Sequence, residues 1–204
     1  MGKLYLIRHG EVLWNRERPA YCGVTDLELN PHGRQQARRL ADRLAGVNLA
    51  AVYCSDLRRA RETAAAIAAP HGLTPYPDPA LREVHYGDWE GVAEEEVRQR
   101  WPEPYLAWRE DAEHQRIPGG ETFGELRDRF VPAVMRILAR HPEESVAIVA
   151  HKAANRVFLC AVLGLSPSHY RRIGQDNAAL NLLDYDHGRW RVDQLNDTCH
   201  LRGD

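Results

Sequence analysis

The sequence predicts an α/β domain with a mostly parallel central sheet and helices on both faces, a three-layer α/β/α arrangement. Two observations support this. Short apolar segments alternate along the 204 residues with longer segments of helical period. The segment Ser145–Ala150 is a continuous apolar run, as is typical of a strand buried in a parallel sheet. The length suits one domain, and we predict that residues 1–204 form it, with a lid-like insertion at 84–120.

The first predicted strand covers residues 4–8, and the first predicted helix has a clear start signal. Asn30 is a preferred N-cap residue, and Pro31 suits the first helical position. Apolar residues then recur at helical spacing up to Leu44, and Gly46 is predicted to end the helix. A strand followed by a helix is the order that opens a βαβ unit.

The alternation continues along the rest of the chain. A second strand at 51–54 leads into Ser55, the predicted N-cap of a helix over 56–69. A long helix is predicted to open at Glu121 or Thr122. The other predicted elements are helical pieces between 92 and 114, the strand described above, a helix near 153–163, and a terminal hairpin of 179–185 and 190–195 around Asp186-His187-Gly188.

Composition argues against two classes of partner. The chain has 27 basic and 29 acidic residues, a formal net charge of −2, whereas a nucleic-acid binder usually shows a basic excess. No apolar run approaches the ~20 residues that a membrane-spanning helix needs. We therefore expect neither a nucleic acid nor a membrane as a partner. Any affinity for an anion must come from a local cluster of Arg and His.

The cysteines indicate a reducing compartment. There are four, Cys22, Cys54, Cys160 and Cys199, and none belongs to a C-x-x-C pair. No signal-like apolar stretch precedes them. A disulfide framework is therefore not expected, and we predict a cytoplasmic protein.

The ten histidines raise the question of a metal site. No H-x-x-H, H-x-x-x-H or C-x-x-C spacing occurs, and no Asp-rich loop resembles a calcium or magnesium site. The sequence also lacks a glycine-rich P-loop and a dinucleotide fingerprint. We therefore expect neither a metal nor a cofactor.

Polar clusters follow the predicted strands at 4–8, 51–54 and 145–150 and a short extended stretch spaced by Pro75, Pro77 and Pro79. They are Arg8-His9-Gly10-Glu11, Ser55-Asp56-Leu57-Arg58-Arg59, Glu83-Val84-His85-Tyr86-Gly87 and Ala150-His151-Lys152. Because ligand sites in open α/β sheets form outside the carboxyl ends of strands, we expect these four clusters to face one crevice. Together they would supply two histidines, several arginines and a glutamate. That set describes a site for a dianion with its own nucleophile.

These clusters resemble the motifs of the histidine phosphatase superfamily, also called the phosphoglycerate-mutase-like family. The R-H-G tripeptide alone is a weak signal, but further motifs follow in the family's order over nearly the whole chain. They are Trp14-Asn15, Thr25-Asp26-Leu27 with Gly33, the segment from Ser55 to Ala60 with Thr63-Ala64, the segment from Glu83 to Gly91, Gly119-Gly120-Glu121, and His151. The resemblance implies a phosphoglycerate-mutase-like fold. It is greatest to the phosphatase branch, which includes α-ribazole phosphatases and metal-independent phosphoserine phosphatases.

The resemblance also implies three catalytic residues. His9 would be the nucleophile, because a neutral imidazole can attack phosphorus near pH 7 and phosphohistidine is labile enough to hydrolyse. Its other ring nitrogen should bond to a backbone carbonyl. His151 would donate to the phosphoryl oxygens as charge develops. Glu83 would protonate the leaving alkoxide and later deprotonate the attacking water.

Substrate contacts are expected from five more residues. Arg8 and Arg59 would hold the equatorial phosphoryl oxygens with planar donors that lysine cannot reproduce. Asn15 matches a family position that contacts the phosphate. His85 would contact substrate or form part of the wall. Lys152 adds a cation at the rim that would favour a second negative group, or it extends to water.

The function that follows is hydrolysis of a small phosphorylated metabolite through a phosphohistidine on His9. Two alternatives use the same core: a cofactor-dependent phosphoglycerate mutase and a non-catalytic phosphoester-binding module. The sequence leaves open the substrate, a homodimer, the part played by the tail at 196–204, and the roles of Glu11 and Glu90.

Overall fold

The strands build one mixed sheet in the computed structural model, which describes residues 2–186 and 189–202. They are β1 (Gly2–Arg8), β2 (Leu49–Cys54), β3 (Tyr76–Pro77), β4 (Ser145–Ala150), β5 (Leu180–Asp186) and β6 (Arg189–Asp197). The order across the sheet is β3-β2-β4-β1-β5-β6. The first four are parallel, and β5 and β6 are antiparallel to their neighbours. The predicted mostly parallel sheet is confirmed; the predicted turn residues His187 and Gly188 lie outside the described residues.

Helices connect these strands. They are α1 (Leu13–Arg16), α2 (Pro31–Leu44), α3 (Arg58–Ala68), α4 (Glu94–Arg100), α5 (Pro102–Glu110), α6 (Phe123–Arg140) and α7 (Lys152–Val162). The predicted cap of α2 is present, since the Asn30 side chain accepts a hydrogen bond from Gly33 N at 2.7 Å. Of the two predicted starts of α6, Thr122 is the cap, and it forms a reciprocal capping box with Glu125. No helix within the described ranges has the length and apolar character needed to cross a bilayer.

The start of α3 differs from the prediction. Ser55 was expected to cap a helix from residue 56, but α3 begins at Arg58. Ser55 Oγ accepts from Leu57 N at 3.3 Å and so closes a short turn before the helix. Arg58 N donates instead to Asp26 Oδ1 at 2.7 Å, so a carboxylate distant in sequence caps the helix. Such a cap depends on tertiary structure and has no local signal.

The side chains of β1 point alternately into two hydrophobic cores, one on each face of the sheet. Leu4 and Leu6 belong to a core shared with α6 and α7, whereas Tyr5 and Ile7 belong to a second core shared with α2 and α3. Successive side chains of a strand point to opposite faces, so a single strand contributes to both cores. The predicted three-layer arrangement follows from this alternation.

Residues 84–120, the predicted lid-like insertion, pack into the first of these cores. Trp89 and Trp108 are fully buried there, with their ring centroids 5.2 Å apart. α4 and α5 lie in this segment. Its action as a lid stays a prediction, as does the single domain over 1–204.

The C-terminal segment packs on α2. Arg39 Nη1 donates to Leu201 O at 2.6 Å, and the His200 ring lies 3.1 Å from Ala178 O. The C-terminal segment therefore contacts both α2 and the residues that precede β5.

Candidate active site

The two predicted catalytic histidines meet because their strands are neighbours. β1 and β4 pair in parallel, with Arg8 in register with Ala150. The residues that follow these two, His9 and His151, therefore leave the sheet side by side. Their ring centroids lie 5.1 Å apart.

A close approach of two backbones fixes the turn after His9. A Cβ on Gly10 would lie 2.5 Å from Gly33 O, and a Cβ on Gly33 would lie 2.1 Å from Glu11 O. Neither position has room for a side chain. The turn therefore rests directly on the first turn of α2.

His9 is held as a neutral imidazole with one nitrogen free for substrate. Its Nδ1 lies 2.7 Å from Gly10 O, so this nitrogen carries the proton, as expected from sequence. The pKa of His9 lies well below 6.5, because the ring is buried and because Arg59 and Arg8 are near. Nε2 thus keeps its lone pair on the side of the ring that faces the cavity described below.

His151 is neutral as well, with the opposite tautomer. Its Nδ1 accepts from Arg59 Nε at 3.2 Å, which leaves the hydrogen on Nε2. This Nε2 is buried and has no hydrogen-bond partner among the described residues. Burial, Arg59 and His9 hold the pKa of His151 well below 6.5. The ring is therefore an unused donor next to His9.

Arg59 is fully buried behind the two histidines. Besides His151, its guanidinium donates to the carbonyl oxygens of Gly23 and Thr25. Three of its five N–H groups are therefore engaged within the protein. Arg59 thus positions His151 and brings a buried positive charge close to both rings.

Arg8 has a donor without a partner. Its Nη1 donates to Gln175 O at 2.8 Å, whereas its buried Nε has no hydrogen-bond partner in the described chain. Burial lowers the pKa of Arg8 to about 10, so the side chain stays cationic at neutral pH. Buried donors without partners are rare in folded proteins and mark a position where a ligand can bind.

Glu83 lies at the N-terminus of α7. Its Oε1 accepts from Val84 N at 3.0 Å and Ala154 N at 2.9 Å, and its Oε2 accepts from Ala153 N at 2.9 Å. Only 3% of the residue is exposed. Two of these donors belong to the first turn of α7, so the carboxylate is held in place beside the helix N-terminus.

A cavity of about 430 Å³ opens beside His9. Of the predicted site residues, Arg8, His9, Asn15, Glu83 and Lys152 line it. Arg59 and His151 are not lining residues; His151 adjoins His9, and Arg59 contacts His151. We call this space the phosphoryl cavity.

His85 does not line the phosphoryl cavity. Its Nδ1 accepts from Gly87 N at 3.0 Å, and its backbone N donates to Glu121 Oε2 at 2.9 Å. His85 therefore stabilises the chain after Glu83, and the structure gives no support to its predicted substrate contact.

The two carboxylates with open roles serve the framework. Glu11 Oε1 accepts from Asn30 Nδ2 at 3.0 Å. Glu90 accepts from the backbone N of Gly23 and Val24 at 3.1 and 2.9 Å. Neither lines the phosphoryl cavity, so Glu83 is the better placed of the three for acid–base chemistry.

Sequence reasoning missed Asp176 and Asn177, which also line the cavity. Asn177 Nδ2 donates to Asn15 Oδ1 at 2.9 Å and thereby holds a predicted phosphate contact in place. Both residues precede β5, and an antiparallel strand begins at the edge where its parallel neighbours end. The predicted antiparallel hairpin was the signal that could have indicated them.

Two further lining residues, Cys22 and Lys152, have shifted pKa values. Burial raises the pKa of the Cys22 thiol to about 11, so this cysteine is not a thiolate nucleophile at neutral pH. Partial desolvation at the cavity wall, with Arg8 and Arg156 nearby, lowers the pKa of Lys152 to about 8, although the side chain as a whole is exposed. Over residues 2–186 and 189–202, no group of three or more His, Cys, Asp or Glu side chains is arranged to hold a metal ion.

The fold and the site define an α/β enzyme of the phosphoglycerate-mutase-like class. The family profile of the histidine phosphatase superfamily (branch 1) matches residues 4–198, and the chain belongs to this family.

Known proteins similar to this chain include phosphatases and a mutase-like protein. Phosphoserine phosphatase 1 of Hydrogenobacter thermophilus is 33% identical, over 98% of this chain and 95% of its own. Phosphoglycerate mutase-like protein 4 of Arabidopsis thaliana is 36% identical, over 98% of this chain and 87% of its own. The solved structure of YhfR from Bacillus stearothermophilus superposes with a TM-score of 0.92 at 34% identity, and covers 99% of this chain and 100% of its own.

Proposed function

We propose that this protein is a phosphomonoesterase that transfers the phosphoryl group of a small metabolite to His9 Nε2 and then to water. One observation carries the proposal. A neutral histidine with a free nitrogen lies beside two buried donors that have no partner, Arg8 Nε and His151 Nε2. A nucleophile next to unused donors is the arrangement that phosphoryl transfer requires.

The same donors explain how a phosphoryl group would be held. Arg8 Nε and His151 Nε2 would donate to its oxygens, and Asn15, fixed by Asn177, would add a further contact. Arg59 would act through its charge and by holding His151 in its donor tautomer. As negative charge shifts onto the equatorial oxygens, these preset donors stabilise it without rearrangement.

Glu83 would carry the proton in both half-reactions. The first proton would come with the substrate monoanion, whose second ionisation lies near pH 6 by analogy with phosphorylated side chains. Glu83 relays this proton to the leaving oxygen as the P–O bond breaks and the P–Nε2 bond forms. Water then attacks phosphorus, gives its proton to Glu83, and the P–N bond breaks to release phosphate and His9.

The experiment that tests the proposal compares His9→Ala with wild type. We expect phosphate release from p-nitrophenyl phosphate by wild type, no turnover by His9→Ala, and an acid-labile, base-stable phosphoenzyme only in wild type. His32→Ala is the matched control, since His32 is an exposed histidine on α2. Turnover by His9→Ala above a trace would show that His9 is not the nucleophile.

The same assay separates the alternatives and the metal requirement. A mutase would transfer phosphate within phosphoglycerate faster than it releases it, and a binding module would do neither. EDTA should leave phosphate release unchanged. Loss of activity in EDTA that zinc or magnesium restores would contradict metal-independent catalysis.

A further inference from the structure

A second cavity, of about 330 Å³, adjoins the phosphoryl cavity. The two share four lining residues: Tyr21, Tyr86, Glu94 and Lys152. His9 does not line the second cavity, so the reaction centre lies outside it. A substrate whose phosphoryl group meets His9 could extend into this neighbouring space.

The second cavity has an excess of cations. Arg109, Lys152, Arg156 and Arg171 line it, against a single lining carboxylate, Glu94. Arg109 already forms an ion pair with Glu94, with Nη1 and Oε1 3.6 Å apart. Lys152, Arg156 and Arg171 therefore remain without a lining carboxylate to neutralise them.

Arg156 differs from the other cations in having a buried donor without an acceptor in the described chain. Its Nε is buried, and no described residue accepts a hydrogen bond from it. Nor does Arg156 form an ion pair within the described chain. A buried donor on a charged group is costly unless it is paired, so an anion in the second cavity would supply the acceptor that Arg156 Nε needs.

Arg171 is held by aromatic rings on the same wall. Its guanidinium carbon lies 4.3 Å from the ring centroid of Trp108 and 4.5 Å from that of Tyr170. Stacking restrains the planar group and leaves its edge available for hydrogen bonds. Two guanidinium groups on different elements, Arg156 on α7 and Arg171 beyond it, thus flank one space.

We propose that the second cavity binds a second anionic group of the substrate, a carboxylate or a phosphate, with Arg156 as the residue that selects for it. The proposal rests on the proposed function and narrows it: the substrates are small phosphomonoesters that carry another acidic group. Arg156 would pair with that group through its planar donors, with Arg171 and Lys152 adding charge.

The test uses two matched substrate pairs. 3-Phosphoglycerate differs from glycerol 3-phosphate by a carboxylate, and fructose 1,6-bisphosphate differs from fructose 6-phosphate by a second phosphate. In wild type, we expect kcat/KM for the more acidic member of one pair to exceed that of its partner at least about tenfold, mainly through a lower KM. The pair that shows this preference identifies the second group as carboxylate or phosphate.

Three variants link the preference to Arg156. Arg156→Met should bring the ratio of kcat/KM within the preferred pair close to one, and Arg156→Lys should restore part of it. Arg172→Met is the control and should keep the wild-type ratio, since Arg172 is exposed and does not line the second cavity. Circular dichroism and melting temperature verify that each variant is folded. A wild-type ratio near one in both pairs, or an unchanged ratio in Arg156→Met, would overturn the proposal.

Binding separates this proposal from the proposed function. In a His9→Ala background, calorimetric titration should show the more acidic member of one pair binding about tenfold more tightly, with the difference lost on adding Arg156→Met. If wild type releases no phosphate from p-nitrophenyl phosphate or from any of the four compounds, the phosphatase proposal fails while this titration still decides the second. Equal affinities within both pairs would reject the anionic subsite even in an active phosphatase.

Discussion

His9 and His151 reach the same charge state for the same reasons, yet they offer opposite chemistry. Burial and nearby arginines keep both rings neutral. Gly10 O accepts a hydrogen bond from the protonated Nδ1 of His9, whereas Arg59 Nε donates to His151 Nδ1. One ring therefore presents a lone pair at Nε2 and the other presents a hydrogen. In the proposed mechanism, the hydrogen bond at the far nitrogen would determine whether each histidine acts as nucleophile or donor.

Lys152 is predicted to produce an alkaline limit to activity. Its pKa of about 8 means that it is charged at pH 7 and loses its proton as the pH rises through 8. kcat/KM for the preferred acidic substrate should therefore fall between pH 7 and 9 more steeply than loss of the substrate monoanion alone requires, since kcat/KM reports ionisations of the free enzyme and of the free substrate. His9 is already neutral over this range, and Arg8, with a pKa of about 10, is still charged.

The control for this prediction is Lys152→Gln, measured over the same pH range. The variant should have a lower kcat/KM at pH 7, and the ratio of wild-type to variant kcat/KM should fall as the pH rises through 8, because the fall due to the substrate is common to both proteins. A ratio that stays constant between pH 7 and 9 would assign the ionisation to another group.

Glu83→Gln is predicted to impair substrates according to their leaving group. An alkoxide needs a proton as the P–O bond breaks, whereas p-nitrophenolate leaves unaided. The rate of phosphoenzyme formation should therefore fall ~10²–10⁴-fold with alkyl phosphates and less with p-nitrophenyl phosphate. Rapid-quench kinetics measure this step apart from hydrolysis of the phosphoenzyme.

Glu83→Gln is also expected to lower stability, because it removes a hydrogen bond within the protein. Both oxygens of Glu83 accept backbone N–H bonds, so the amide nitrogen of glutamine would face a donor. The loss of one such bond costs about 1–3 kcal/mol of stability for a buried group. Melting curves therefore accompany the kinetics. Equal losses with both leaving groups would argue for a structural role of Glu83 and against the acid.

At the scale of elements, site residues could be predicted where they follow the carboxyl end of a parallel strand, because ligand sites in open α/β sheets form there. His9 and His151 follow β1 and β4, two adjacent parallel strands, and the prediction that they meet is confirmed. Asp176 and Asn177 were not predicted because they precede β5, which runs antiparallel to β1, and therefore do not follow the end of a strand. The cap of α3 by Asp26 was missed because the two residues are distant in sequence and meet only in the folded chain.

The contact between the His9 turn and α2 yields a prediction for Gly33→Ala. The new Cβ would lie 2.1 Å from Glu11 O, so α2 and the turn must move apart. We expect a loss of about 1–3 kcal/mol in the free energy of unfolding, the usual cost of overpacking. kcat should fall as well, since His9 is displaced with the turn. Urea unfolding and phosphate release measure the two effects.

Gly46→Ala is the matched control for this substitution. A Cβ there meets no heavy atom within 4 Å, so the variant should be as stable as wild type or slightly more stable. If Gly33→Ala proved as stable and active as Gly46→Ala, the close approach would not be what fixes the turn.

At the scale of the whole molecule, the net charge is negative whereas the charge around the two cavities is positive. The net charge of −2 gives no general attraction for anions, yet the two cavities together concentrate arginine and lysine side chains. Arg156 and Arg171 come from segments with no shared motif, so composition and spacing could not indicate the second cavity. Only the packing of α7 against the chain around residue 170 brings them together.

The last prediction uses the stability of the whole molecule to detect the phosphoryl site without any assay of turnover. Arg8 Nε and His151 Nε2 are buried without partners, and an anion that binds them stabilises only the folded state. Phosphate or vanadate at 100 times its Kd should add about 2.7 kcal/mol to the free energy of unfolding, a rise in Tm of roughly 5–10 °C for a chain of this size. Scanning calorimetry at several anion concentrations measures the rise.

Arg8→Met should lose most of that rise, because it removes the donor and the charge while keeping an apolar chain of similar length. Without anion it should unfold at or slightly below the wild-type temperature, since it loses the hydrogen bond to Gln175 O but no longer buries a charge. Arg172→Met, at an exposed position, should keep the full rise. A rise in Arg8→Met equal to that of wild type would mean that phosphate binds elsewhere, and Arg8 would then have no part in holding the phosphoryl group.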